Sequence, residues 1–252
     1  MKKLASLLAL TFVLAAAAIA QPAALAQPAA PAQPAADLPT VEQILAKAIE
    51  ATGGKAAEEK ITSRVAKGTI EVVTFGVSGP VEIYAKAPNK MFTHSEFTGY
   101  GEVVQGYDGK SAWMKTPDAG LRELSGVELA RVKRGADFYR ALHLKDQYAK
   151  MTVTGKGKVG DREAFIVEAK PAEGAAEKFY FDTQTGLLLR NETTDDSGGQ
   201  TTTTVEDYKV VDGLKLAHTI RQESAAFSLV IKLTEVKHGI EIDDAKFAKP
   251  AN

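Results

Sequence analysis

From about Arg64 to Val236 the chain is a succession of short runs rich in Val, Ile, Thr, Tyr and Phe, each bounded by a turn signal. That pattern predicts antiparallel strands. The runs fall at 64–75, 79–86, 90–97, 101–107, 111–116, 150–158, 163–170, 177–182, 187–195, 201–211, 215–223 and 227–236. Asp108-Gly109, Pro117-Asp118-Ala119-Gly120, Gly160-Asp161, Thr185-Gly186 and Asp212-Gly213 supply turns between them. Consecutive hairpins imply a meander, and the lack of strand–helix–strand alternation argues against a parallel sheet. In Phe227-Ser228-Leu229-Val230-Ile231-Lys232-Leu233 the odd positions are all apolar and the even ones are polar apart from Val230. One face of the sheet is therefore apolar and the other wetted. A twisted sheet of about twelve strands tends to curl or close on itself, and its apolar face needs a cover.

Two segments switch to helical spacing. Thr40 and Gln43 form a capping box ahead of Val41, Ile44, Leu45, Ala48 and Ile49, and Gly53-Gly54 ends the helix. Lys55–Ile61 then predicts one or two further turns. Ser125–Leu144 interrupts the strands, with Ser125 and Glu128 as a second capping box and Leu129, Val132, Phe138 and Leu142 as its apolar positions. This insertion divides the sheet into two halves, and the two helical segments are the available covers for Phe227, Leu229, Ile231 and Leu233.

Ahead of the folded region, Lys2 and Lys3 precede an uncharged run from Leu4 to Ala20, the pattern of an export signal. Small-residue sites allow cleavage after Ala20 or after Ala26, leaving no membrane span and placing the protein in the periplasm. Residues 21–37 are nearly all Ala, Pro and Gln, with too little to bury, and are expected to be a linker. The organised domain is expected over 38–252, long enough for one substantial core.

Composition narrows the chemistry. The 252 residues include no cysteine and four histidines, and their formal net charge is -1. Thiolate metal sites, thiol nucleophiles and disulfides are excluded, and nothing offers the basic stripe that nucleic acid would select. Gly155-Lys156-Gly157-Lys158-Val159-Gly160 fits a dinucleotide-binding spacing, but a strand follows where that site needs a helix, so it predicts a hairpin. Gly76-Val77-Ser78-Gly79 has Pro80 where a nucleophile elbow needs glycine and is a loop. Asp195-Asp196 and Asp243-Asp244 lack the alternating ligands of a calcium loop and are expected to be solvated turn charges. His218 is expected to be a satisfied or exposed histidine. Arg131, Lys133 and Arg134 are either a solvated helix face or a headgroup or partner contact. No nucleophile–base pair, metal set or cofactor loop is visible, so no catalytic residues and no cofactor are expected.

Phe179–Arg190 (FYFDTQTGLLLR) and Asp207–Leu216 (DYKVVDGLKL), with Ala51-Thr52-Gly53-Gly54 near the start and Ile242–Pro250 near the end, resemble the bacterial outer-membrane lipoprotein-sorting-like family, the LolA/LolB-like superfamily, in its uncharacterised branch. The resemblance runs over nearly all of 38–250. It implies a mainly β (α+β) fold: an incomplete, strongly curved antiparallel β-barrel with helices covering the concave face and a cavity for acyl chains or another hydrophobic ligand. The absence of a lipid-bearing cysteine excludes the anchored receptor form.

Two functions stay open. One is non-enzymatic, periplasmic binding of a lipid or of lipoprotein acyl chains; the other is an envelope protein-interaction or sensory module on the same fold. For the ligand, Trp113, Phe138, Tyr139 and Leu142 are expected near the pocket mouth, beside or within the helical insertion, with plain core packing as the alternative for each. Phe227, Leu229, Ile231 and Leu233 are expected to form its apolar wall, so that a bulky substitution at Ile231 would block it.

Overall fold

A computed structural model describes residues 38–194 and 198–251. The export signal, the Ala/Pro/Gln linker and the Asp195-Asp196 pair lie outside the described residues. The chain opens with helix α1 (Val41–Thr52) and a single turn, α2 (Lys55–Glu58). Six strands follow: β1 (Ser63–Val72), β2 (Val77–Lys86), β3 (Lys90–Phe97), β4 (Gly101–Tyr107), β5 (Ala112–Thr116) and β6 (Gly120–Leu124). The insertion comprises α3 (Gly126–Ala136), α4 (Arg140–His143) and a 3-10 turn, Leu144–Gln147. Seven more strands complete the sheet: β7 (Lys150–Val159), β8 (Arg162–Lys170), β9 (Glu177–Asp182), β10 (Leu188–Thr194), β11 (Gln200–Val211), β12 (Leu214–Ser224) and β13 (Ser228–His238).

All thirteen strands join one antiparallel sheet in the order β6-β5-β4-β3-β2-β1-β13-β12-β11-β10-β9-β8-β7. Two meanders are thus zipped together where β1 pairs with β13, from Arg64 opposite His238 to Val72 opposite Leu229. The outer strands β6 and β7 do not pair, so the barrel is incomplete, and the helical insertion bridges from one free edge to the other. Register shifts at Lys67/Gly68, Val153/Gly155 and Leu188/Arg190 add local twist, which helps the sheet curl.

Twelve of these strands fall on the runs read from the sequence; β6 does not. Gly120–Leu124 is short, pairs only with β5 and buries only Leu124 fully, so it lacks a two-residue apolar period. The predicted capping box beside it is also absent. Ser125 stands at the helix start without a side-chain cap, because Glu128 turns back to Arg122 in a two-pronged ion pair at 2.8 and 2.9 Å. The Thr40–Gln43 box is present in both directions, at 3.2 and 2.8 Å. The glycine-rich 155–160 segment ends in the β7–β8 hairpin, with Val159 opposite Arg162.

The concave face carries three packed zones. Helix α1 lays Val41, Ile44 and Leu45 on Val167, Ala169, Phe179 and Phe181. Helix α3 lays Val132 and Ala136 on Tyr107, Ala112, Met114 and Leu124. Between them, Ile70, Val72, Val81, Phe97, Val103, Phe227, Leu229 and Ile231 pack against one another, with Leu233 and Phe75 at the margin. The predicted arrangement, with the helices covering Phe227 to Leu233, is corrected here: tight curvature brings facing strands together and they bury each other.

The convex face is wetted except over Ala164, Tyr180 and Leu189 of the C-terminal meander and where the chain end returns to it. Val65, Phe92, Val104 and Trp113 lie beneath Ile242 and Phe247 of the closing segment, whose 3-10 turn is Asp244–Phe247. The Trp113 indole donates to the Phe247 carbonyl at 3.1 Å. Its ring fills the space over Gly106, where any Cβ would lie about 2.4 Å from it. The Lys246 ammonium stands 4.5 Å from the Tyr84 and Phe92 rings. Asp243 and Asp244 are exposed charges at a turn, as expected, and each has a partner. Asp243 caps the 3-10 turn, and Asp244 meets Lys86 and Lys90 at 2.8 and 2.6 Å, which hold its carboxyl down to about 2.

Candidate functional site

Helix α1 is pinned at its middle and at its C-terminal end to hairpin turns of the C-terminal meander. Lys47 donates to the Thr183 carbonyl at 2.8 Å, and Gly186 of the same turn sits so close to Lys47 that a Cβ would come within about 2.9 Å of its carbonyl oxygen. Gly53, at φ 126°, ends the helix against the Gly213 carbonyl.

The insertion is held as firmly. Helix α3 stops at Asp137, whose carboxylate accepts from the Tyr139 amide at 3.0 Å and from Gln147 at 2.8 Å, with His143 Nδ1 3.0 Å away. Arg134 reaches across to Glu177 of β9 at 3.0 Å, and the Tyr148 hydroxyl donates to the same carboxylate at 2.9 Å. The pair is largely buried, so Arg134 is an internal tie and not part of a solvated face. Arg131 donates to the Thr194 carbonyl at 2.7 Å, while Lys133 is exposed.

Between α1, the insertion and the sheet lies a cavity of about 350 Å³. Leu45, Ala48 and Ile49 of α1 form one wall, and Phe179, Phe181, Leu188, Leu216 and Ala217 form the floor. Phe138, Ala141 and Leu144 close it from the insertion. The volume is at the lower end of ligand-sized clefts, and a mostly apolar lining with a few polar groups is the common composition of such sites.

Five of those polar groups are charged. Arg64, Arg140, Lys215, Glu58 and Asp137 all contribute to the lining. Arg64 Nε donates to His238 Nε2 at 3.1 Å, and His238 Nδ1 lies 3.0 Å from Asp212 at the surface. The Arg64 guanidinium stacks 5.5 Å from the Phe138 ring, and that of Arg140 lies 5.9 Å from Phe179. Burial draws the Arg64 pKa down, opposed by Glu58, and burial pushes the Glu58 carboxyl up, opposed by Arg64 and His143. Tyr208, whose hydroxyl donates to the Leu188 carbonyl at 2.8 Å, is pushed up to about 12 by burial and stays neutral.

Of the residues expected around a pocket, Phe138 lines the cavity. Tyr139 lies behind it, donating to the Ile61 carbonyl at 3.1 Å and tying the insertion to the start of β1. Leu142 is half-buried and points elsewhere than the lining. The placement of Trp113 beside the insertion is corrected: it is 1% exposed and sits on the convex face under the chain end. Phe227, Leu229, Ile231 and Leu233 belong to the concave face as expected, but in its close-packed zone and outside the cavity lining. Phe179, Phe181 and Leu188, which do form the floor, share the strand alternation of the rest of the sheet and carry no separate signal. His218 is buried, with Nδ1 2.9 Å from the Leu216 carbonyl, a satisfied histidine. Among the described residues no group of three His, Asp or Glu is placed to hold a metal, and no helix is long and apolar enough to cross a membrane.

No protein-family model matches the chain, and no curated protein matches it. Solved structures do. A LolA superfamily protein from Nitrosomonas europaea superposes with a TM-score of 0.58 at 15% identity, over 84% of this chain and 99% of that one. A putative outer membrane lipoprotein-sorting protein domain from Vibrio parahaemolyticus gives 0.56 at 15% identity, over 82% and 97%. A DUF1329 family protein from Desulfovibrio piger gives 0.57 at 14% identity, over 82% and 97%. At these identities the likeness is one of fold: an open, strongly curved antiparallel sheet with helices over its concave face, the LolA-like architecture.

Proposed function

We propose that this protein is a non-enzymatic carrier in the periplasm that binds a hydrophobic ligand, a lipid or an acyl chain, between α1, the insertion and the floor of β9, β10 and β12. The observation that carries the reading is the cavity itself: a mostly apolar-lined volume of about 350 Å³ left open under the helices, on the same concave face that is close-packed around Ile70, Phe97 and Ile231. The LolA-like fold supports it, since two of the structures sharing that fold are described as a LolA superfamily protein and a putative lipoprotein-sorting domain.

Ala48 faces the cavity from α1 and is half-buried. Ala48→Phe should fill the space where an acyl chain would lie, at a stability cost of no more than about 1–3 kcal/mol. An apolar fluorescent dye is expected to bind the native protein, to be displaced by a long-chain amphiphile, and to bind the variant at least tenfold more weakly. A native protein that takes up no apolar probe would remove this reading and leave the envelope interaction module.

A further inference from the structure

Arg64, Arg140 and Lys215 lie on the lining of an otherwise apolar cavity, and among the described residues none of the three forms an ion pair with Asp or Glu. Two carboxylates share the lining, Glu58 and Asp137, so three cations face two acids. Asp137 is committed to Tyr139, Gln147 and His143 within the insertion. Glu58 leaves its Oε2 buried without a hydrogen-bond partner, and the buried Arg140 Nε lacks one as well. Orphaned polar atoms of this kind are uncommon in folded proteins and ask for a partner. Guanidinium groups present their donors as a planar fork that suits a carboxylate or a phosphate.

We infer that the ligand of the cavity is an anionic amphiphile, an apolar chain whose carboxylate or phosphate head is held by Arg140, Arg64 and Lys215. This rests on the apolar-ligand reading above and narrows it. The chain occupies the wall of Leu45 and Ile49 and the floor of Phe179 and Phe181, and the head supplies the negative charge that the lining lacks. Burial raises the Glu58 pKa, against the pull of Arg64 and His143. A neutral head could accept from the Arg140 Nε but would bring no charge to set against the cations, and a cationic head would add a like charge at short range.

Dye displacement by four amphiphiles with the same sixteen-carbon chain tests this, with hexadecanoate, hexadecyl phosphate, hexadecanol and hexadecyltrimethylammonium each used below its micelle concentration. At least one anion is expected to bind about tenfold or more tightly than the alcohol, with the ammonium weakest. Whichever anion is tighter identifies the head as carboxylate or phosphate. Arg140→Met and Lys215→Met, which keep the aliphatic stem, are each expected to shrink the anion-to-alcohol ratio several-fold. A variant that merely loosened the cavity would weaken all four ligands alike and leave the ratio where it was. If alcohol and anions bind equally, or the ammonium binds as tightly, the anionic head is overturned while the apolar carrier stands. If none of the four displaces dye and the protein binds no apolar probe, both readings fall.

Discussion

Strands β1 and β13 run side by side along the concave face, and their side chains change character from one end to the other. At one end Arg64 lies across from His238 beside the cavity; at the other Ile70 faces Ile231 and Val72 faces Leu229. The second end is solid: Phe97, Val81 and Val103 from the neighbouring strands and Phe227 from the turn into β13 fill it. At the first end the sheet is covered by helices, and a helix resting on two hairpin turns and a broken insertion leaves space that side chains do not fill. A two-residue apolar alternation thus says which face looks inward. Whether that face is plugged depends on curvature and on what rests over it.

The largest effect expected from this contrast is at the filled end. Phe97→Ala removes a ring that is 1% exposed, at an expected cost of about 3–5 kcal/mol in urea denaturation, with dye affinity per folded molecule kept. Phe138→Ala, at the half-buried cavity wall, should cost less than half as much and lower dye affinity. Equal costs, or loss of binding in the Phe97 variant alone, would erase the distinction between the two ends.

Next in size is the tie that holds the insertion over the cavity. Arg134→Met strands the Glu177 carboxylate, which is only 8% exposed. Loss of one partner from a buried ion pair costs about 3–5 kcal/mol. Arg134 keeps some solvent contact and Tyr148 still donates to Glu177, so about 2–3 kcal/mol is expected here. The double variant Arg134→Met/Glu177→Gln should recover part of it, and a purely additive result would deny the tie.

Ile231→Trp sharpens the comparison from the opposite direction. Read from the sequence, a bulky residue at 231 blocks a cavity; in the structure Ile231 is 5% exposed within the filled zone. The substitution is expected to overpack and destabilise by about 1–3 kcal/mol while leaving dye binding in place. Loss of binding with unchanged stability would instead extend the cavity to this end.

The amphipathic α1, twelve of the thirteen strands and the division of the sheet by the insertion were legible because each is a local pattern: a capping box, a two-residue period, a glycine turn. The thirteenth strand, Gly120–Leu124, was not, since an edge strand with only Leu124 fully buried needs little alternation. The candidate site was mostly illegible. Trp113 lies next to Pro117–Gly120 and the insertion in sequence, yet its side chain points to the convex face, and only the return of Phe247, more than a hundred residues later, explains its burial. Arg64 reads as an ordinary strand charge until β13 brings His238 beside it and the insertion brings Phe138.

The smallest effect concerns that Arg64–His238 contact, where the two ends of the strand pair differ most in chemistry. Burial and the Arg64 charge lower the His238 pKa from its ordinary 6.5, against a weaker upward pull from Asp212. With the folded value depressed, the native protein binds fewer protons here than the unfolded chain does. The stabilising contribution is therefore complete above the ordinary histidine pKa and is lost as the pH falls through the depressed folded value. Glu58, behind Arg64, runs the other way: its raised pKa makes its contribution complete below 4.5 and lost as the pH rises through the folded value. His238→Gln can still accept from Arg64 and donate to Asp212 but cannot titrate. Urea midpoints measured between about pH 8 and pH 5, a range that brackets a normal histidine, should therefore fall more steeply for the native protein than for this variant. Since Ile70, Ile231 and their neighbours at the filled end carry no charge, no substitution there should alter the slope. Parallel curves for the native protein and His238→Gln would show that the histidine is not coupled to folding.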